Sequence, residues 1–435
     1  MRPSLRRGLL VLILLFGLAV RFAWPLADPP ATLSWSTAVY TDPASKTLPA
    51  MYAARFGDWN LSEGQYLRAF PLANALTWAS YRALGPGREA HQCLAALLSS
   101  GALLATGLLL RRTLGAPAGL IGAALAATSW WLVMFGRVPV VENLVSLLLA
   151  FSAWFALGHG RGAAAAAGVL AMSAALFGKY HAAAFLPVLA AFLAARRSEG
   201  SRVMPAAIGA GAVAALWLIA VYLPFRSEIL EYVGRESVGI HGALPVTRSL
   251  WHGILGLFTS VRQAWVFHQT PVIGLLGLAF ALRTVTRREL WRERLQNGTA
   301  LFALWFLGVW VYYALLSYKA PRYYVVIGVP LVACAAAQIS AWFRAGTITL
   351  ERPTLRRLVP EFLVAFPIGM VAVELVRQLS AAVRVMERTR AAGGRTMLYD
   401  ALAPVDRALV GTDGHLLWAL GVAAGVLVAR WVLFR

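Results

Sequence analysis

Apolar runs at or near the length that crosses a bilayer recur along the whole chain. They lie at about 8–26, 92–110, 115–135, 142–158, 163–178, 181–195, 204–224, 269–283, 299–317, 323–342, 359–377 and 415–433. About twelve spans follow, which predicts an all-α, polytopic transmembrane bundle. Composition agrees: of 435 residues, 59% are hydrophobic and 14% charged, where soluble domains hold about a quarter charged. Residues 162–175 and 206–215 are rich in glycine and alanine, which suits close helix–helix approach in lipid. The first run follows Arg2, Arg6 and Arg7, as in a signal peptide. No small-x-small cleavage site precedes Trp24-Pro25, so a retained signal-anchor helix is expected.

A formal charge of +21 invites a nucleic-acid reading, but its distribution opposes one. Basic residues gather in short alternate loops: Arg111 and Arg112; Arg161; Arg196, Arg197 and Arg202; Arg283, Arg287, Arg288, Arg292 and Arg294; Arg344, Arg352, Arg356 and Arg357. With alternating helices these share one face, the pattern of a cytoplasmic surface. Most acids fall in the other loops, mixed with arginine. Both termini are then expected in the cytoplasm and the loop bearing Asp42 outside. The two cysteines, Cys93 and Cys334, stand far apart in predicted spans and indicate no disulfide framework or cysteine metal site.

A polar stretch of roughly sixty residues, about 28–89, interrupts the pattern after the first span. A bundle does not need it to fold; a water-exposed site built against the bilayer does. Asp42-Pro43 fits a helix start, with aspartate as N-cap and proline at the first position. Lys46, Met51, Tyr52 and Arg55 would lie along that helix, with Pro49 perturbing it. Asp42 also suits a carboxylate at the membrane surface that takes a proton from an acceptor hydroxyl. The two readings are compatible, because a side chain at a helix start can face a cavity.

Only three of the 40 basic residues are lysine: Lys46, Lys179 and Lys319. All three fall on the predicted external side, where long basic chains either snorkel or serve a function. Arg137 and Glu142 flank an external turn and are costly at membrane depth unless paired with each other or functional. Lys179-Tyr180-His181 begins an outer helix, where it can grip an anion or act as an aromatic and basic belt. Lys319 and Arg322 surround Pro321 before a late helix; point charge, fork and helix dipole together suit a phosphate. An interface anchor would explain Tyr323 and Tyr324 but not the two cations. His241, His252 and His268 match no metal spacing.

In order and topological side, these motifs resemble the GT-C superfamily of polytopic glycosyltransferases. That group includes protein O-mannosyltransferases and the bacterial transferase that adds aminoarabinose to lipid A. The resemblance covers about the first 340 residues. It rests on Thr41-Asp42, on Met51 through Trp59, on Phe70-Pro71-Leu72 leading to Leu84-Gly85, on Arg137 and Glu142, on Lys179-Tyr180, and on Lys319 to Tyr323. It implies a GT-C-like module over residues 1–377, whose first external loop, at about 27–90, bears interfacial helices. Residues 378–414 form an external polar segment, whose first half can make an interfacial helix, and 415–435 a terminal span.

The resemblance implies sugar transfer from a polyprenyl-phosphate donor to an acceptor hydroxyl of a glycan, lipid or protein, by inversion, on the external face. Asp42 would be the general base. Lys319, Arg322, Lys179 and Arg137 would bind the donor phosphate; Lys46, Tyr52, Asp58, Glu63, Glu142, Tyr180, His181 and Tyr323 would support substrate binding. Relatives often carry paired acids at the first motif, whereas Pro43 follows Asp42 here. A second carboxylate must come from Asp58, Glu63 or Glu142, so a divalent metal is left open and no other cofactor is implied.

A transporter or lipid flippase is the rival reading. It favours ionisable groups at mid-bilayer and two related halves; Glu374, inside a late span, speaks for it, and the gathering of charged motifs on one face speaks against. A non-catalytic scaffold is the third. The arginine- and alanine-rich composition suggests a bacterium with a GC-rich genome, hence an inner-membrane protein. There the sequon Asn60-Leu61-Ser62 would be silent.

Overall fold

The computed structural model describes residues 3–22, 46–61, 64–196, 202–239, 271–315 and 321–344. Backbone groups in lipid must be satisfied within their own segment. Among the described residues the chain is accordingly helical, with no strand.

Helix α1 spans Pro3–Phe22. Three short helices follow: α2 (Leu48–Phe56), α3 (Gly64–Ala69) and α4 (Pro71–Leu84). Then come α5 (Arg88–Leu114), α6 (Ala116–Thr128), α7 (Trp130–Gly136), α8 (Val141–Ala156) and α9 (Gly160–Ser173). A π-helical turn at Ala174–Gly178 and a 3₁₀ turn at Tyr180–Ala184 lead into α10 (Phe185–Ala195). The rest are α11 (Val203–Trp217), α12 (Arg226–Gly239), α13 (Pro271–Thr286), α14 (Arg288–Gln296) and α15 (Ala300–Leu315), then a 3₁₀ turn at Pro321–Tyr324 and α16 (Val325–Arg344).

Four stretches are long and apolar enough to cross a bilayer: 89–114, 160–178, 203–222 and 322–342. Six shorter apolar helices stand at 8–22, 116–128, 141–156, 180–195, 273–286 and 300–313. Each expected run up to residue 342 coincides with one of these. The runs at about 359–377 and 415–433, Glu374 and the segment 378–414 lie outside the described residues. The run near 115–135 is two helices, because the chain turns extended at Ser129 (φ −65°, ψ 108°) before α7 begins.

Helix α16 is the axis of the bundle, buried along nearly all of its length. It packs against α13, α15, α6, α5 and α8. Helix α11 lies at the rim, with Met204, Ile208 and Leu216 exposed as a lipid-facing surface requires. The two small-residue segments find each other. A Cβ on Gly168 of α9 would collide with the Ala206 carbonyl of α11, and one on Gly209 with the Ala165 carbonyl. Such backbone proximity is what glycine permits between helices in lipid. Cys93 and Cys334 are free.

Proline starts α2: Pro49 sits in its first turn, where a missing N–H costs nothing. Lys46 is helical and is separated from α2 by a turn at Thr47; the helix start expected at Asp42-Pro43 lies outside the described residues. The helix ends at Gly57 in the left-handed conformation (φ 74°), which glycine adopts freely. Asn74 of α4 holds α2 in place. Its Nδ2 donates to the carbonyls of Lys46 and Phe70, both at 3.0 Å, and its Oδ1 accepts from the Ala50 N–H at 3.3 Å. No sequence motif marked this fully buried asparagine.

Candidate active site

The turn before α8 is locked by one side chain. Asn143 Nδ2 donates to the carbonyls of Phe135 and Val138, each at 2.9 Å. The lock delivers Glu142 into the first turn of α8, where the helix dipole favours a carboxylate. Glu142 is 2% exposed. Lys179 Nζ donates to its Oε1 at 2.6 Å, and Arg322 Nε stands 3.8 Å from the same oxygen. Lys46 Nζ lies 5.5 Å from the Phe70 ring centre, and its charge adds to the field on this carboxylate at longer range.

Each cation arrives by a break in regular structure. Lys179 is extended (φ −154°, ψ 129°) between the π turn and the 3₁₀ turn. Its N–H donates to the Ala174 carbonyl at 2.8 Å. Single π turns of this kind tend to occur where a helix is re-aimed at a functional site. Arg322 lies in the 3₁₀ turn that opens the central helix α16. Lys46, Lys179 and Arg322 are all buried.

An aromatic wall backs the cluster. Lys179 Nζ lies 4.0 Å from the ring centre of Tyr323, in cation–π range. His181 meets the same ring edge-on at 4.9 Å. Tyr313 packs beside Tyr323 with ring centres 6.0 Å apart. Tyr180 neighbours Tyr232 of α12, which also meets Tyr66 and Phe70. Through these rings α3, α4 and α12 close over the end of the bundle that holds Glu142.

The structure thus brings together Lys46, Glu142, Lys179, Tyr180, His181, Arg322 and Tyr323. Arg137 takes another path: its Nη1 donates to the Val20 carbonyl of α1 at 2.6 Å. The Arg137–Glu142 ion pair considered from sequence does not form, since Asn143 fixes the turn and Glu142 draws its cations from Lys179 and Arg322. Asp58 is exposed and caps the Asn60 N–H at 2.8 Å. Tyr52 is half-buried beside Phe56 on α2. Asp42, Glu63 and Lys319, and the histidines at 241, 252 and 268, lie outside the described residues.

Sequence reasoning passed over Arg21, which is 2% exposed at the end of α1. It donates to Ser99 Oγ at 2.9 Å, to the Gly17 carbonyl at 3.1 Å and to the Ala126 carbonyl at 3.0 Å. With Arg137 it ties α1 to α5, α6 and the turn carrying Glu142. The signal was an arginine closing an apolar run, which is costly in lipid unless it is held. No three potential metal ligands gather among the described residues.

No family model and no curated protein matches the sequence. Solved structures do. ArnT from Cupriavidus metallidurans in the apo state aligns with TM-score 0.56 at 16% identity, over 98% of this chain and 76% of that one. The same transferase bound to undecaprenyl phosphate aligns with TM-score 0.53 at 15% identity, over 98% and 77%. The oligosaccharyltransferase of Archaeoglobus fulgidus, in complex with zinc and sulfate, aligns with TM-score 0.51 at 15% identity, over 88% of this chain and 56% of that one. The chain therefore shares the fold of these solved structures, as the resemblance read from the sequence led one to expect.

Proposed function

We propose that this chain is a membrane glycosyltransferase that moves a sugar from a polyprenyl-phosphate donor to an acceptor hydroxyl on the external face. The observation that carries the reading is the buried cluster of Lys46, Lys179 and Arg322 around Glu142, in a fold that in ArnT holds undecaprenyl phosphate.

Charge explains why such a cluster suits the reaction. The acceptor oxygen attacks the anomeric carbon, and the bond from that carbon to the phosphate oxygen breaks with its electron pair staying on oxygen. The acceptor's proton passes to Asp42 as general base. A phosphodiester with one negative charge thereby becomes a phosphate monoester approaching two. Lys179 and Arg322 on Glu142, with Lys46 nearby, would set positive charge where the leaving phosphate gains its second negative charge, and so would favour the leaving group over the bound donor. Stabilisation that grows as charge develops lowers the barrier instead of only tightening binding. Lys319, three residues before Arg322, would join the phosphate site, whereas Arg137, held on the Val20 carbonyl, would brace the turn that carries Glu142. Glu142 holds the cations in place while the site is empty. Tyr52, Asp58, Glu63, Tyr180, His181 and Tyr323 would support sugar or acceptor, and any divalent metal would depend on Asp42 and Glu63.

The test uses the full chain in detergent with a panel of radiolabelled polyprenyl-phosphate sugars, and measures release of polyprenyl phosphate. Asp42→Asn should lower the rate by about 10²–10⁴-fold. A wild-type rate in that variant would remove Asp42 as the base. Absence of release from every donor, together with lipid flipping in reconstituted vesicles, would favour the transporter reading.

A further inference from the structure

Far from this cluster, at the end of the bundle where the arginine-rich turns lie, α13, α14 and α16 enclose a cavity of about 330 Å³. The start of α16 carries the candidate site and its last turns line this cavity. At 1.5 Å rise per residue the two are roughly 25 Å apart, nearly the thickness of a hydrocarbon core.

The cavity is built from hydrogen-bond donors. Arg294 is 8% exposed. Its Nη1 is spent on the Phe280 carbonyl at 2.8 Å and on the Thr284 hydroxyl. Its guanidinium also stacks 3.8 Å from the Phe280 ring centre. The donors on Nε and Nη2 take no hydrogen-bond partner among the described residues. Gln338 is 5% exposed, and its amide likewise takes none. Asn297 Oδ1 accepts from the Thr299 N–H at 3.0 Å and from its hydroxyl at 2.7 Å. That leaves the Asn297 amide nitrogen to face other acceptors. Arg283 completes the set, with Glu293 as the one acid in the lining.

This is a held, partly unsatisfied cation in a pocket of donors, the arrangement that recognises phosphate. Burial, and then the nearby Arg283, hold the Arg294 guanidinium below its ordinary range. An anion seated between the two arginines would relieve their mutual repulsion. Trp342, Leu114 and Leu290 also line the cavity, which sets it at the level where headgroup meets acyl chain. Exposed Arg287, Arg288 and Arg292 flank it on and beside α14.

We propose that this cavity binds the phosphate of an anionic phospholipid in the leaflet opposite the candidate active site. Basic pockets between spans hold such headgroups at this depth.

Native mass spectrometry of the full chain in detergent, titrated with phosphatidylglycerol or phosphatidylcholine, tests it. Phosphatidylglycerol should be retained preferentially. Arg283→Gln and Gln338→Leu change an exposed side chain and an uncharged one, so both should fold, as a thermal melt would check. Loss of Arg283 should weaken retention by about fivefold, corresponding to about 1 kcal/mol for one arginine near a headgroup. Gln338→Leu should weaken it in the same direction. Equal retention of the two lipids, or wild-type retention in both variants, would overturn the proposal. So would binding of inorganic phosphate with no retention of phosphatidylglycerol, since the site would then serve a free anion.

Discussion

Burying a carboxylate costs several kcal/mol, and Glu142 offsets that cost with Lys179 at 2.6 Å and Arg322 at 3.8 Å. Removing one member of such a group exposes the cost borne by the others. Glu142→Gln should lose about 3–5 kcal/mol, because the buried Lys179 and Arg322 lose the carboxylate they share. Lys179→Met should also destabilise, and the double variant should be less destabilised than the sum of the two. Denaturant unfolding in detergent measures the coupling, expected at about 1–3 kcal/mol; strictly additive effects would mean that the pair does not act as a unit. The cations themselves were legible in the sequence, since lysine is rare in this chain and arginine is expensive in a span. The pairing was not. Arg137 and Glu142 share a turn, so spacing suggested a pair. Which way each side chain goes depends on Asn143, whose two hydrogen bonds lock the turn and whose role no motif announces.

Elements were read from apolar runs, and runs report length better than phase. The run at about 163–178 is indeed helical, but its last turn widens to π geometry at Ala174–Gly178. A π turn takes up about one more residue per revolution than an α turn, so each residue rotates the chain less, and this sets where Lys179 emerges. An alanine inserted after Ala175 cannot be taken up in the same way and should rotate Lys179 by about 100° away from Glu142. Helical content by circular dichroism should stay unchanged, while polyprenyl-phosphate release should fall as far as in Lys179→Met. Retained activity in the insertion would show that the geometry of this turn does not aim the lysine. The Gly- and Ala-rich runs gave a firmer reading. Small residues leave few ways for two helices in lipid to meet, and α9 and α11 meet through them. The α6–α7 break at Ser129 stayed hidden, because an apolar stretch looks the same whether or not it bends.

Across the whole molecule, charge divides the two ends of the bundle. The turns after α5, α8, α10 and α13 carry arginine with few acids, while the other ends carry the candidate site. Chains of this kind keep the arginine-rich side in the cytoplasm, because basic loops resist translocation. The donor-lined cavity and the candidate active site would then face opposite leaflets, so a cytoplasmic lipid could act on a reaction carried out outside. Two exposed positions decide the orientation: Asp58, just beyond α2, and Arg161, in the first turn of α9. Cys93 and Cys334 would first be replaced by alanine, removing the native thiols. In intact spheroplasts a membrane-impermeant maleimide should label Asp58→Cys, and should label Arg161→Cys only after permeabilisation. The opposite pattern would place the Glu142 cluster in the cytoplasm. A polyprenyl-phosphate transferase would then have to work on that side, and the leaflet assigned to the phospholipid would exchange with it.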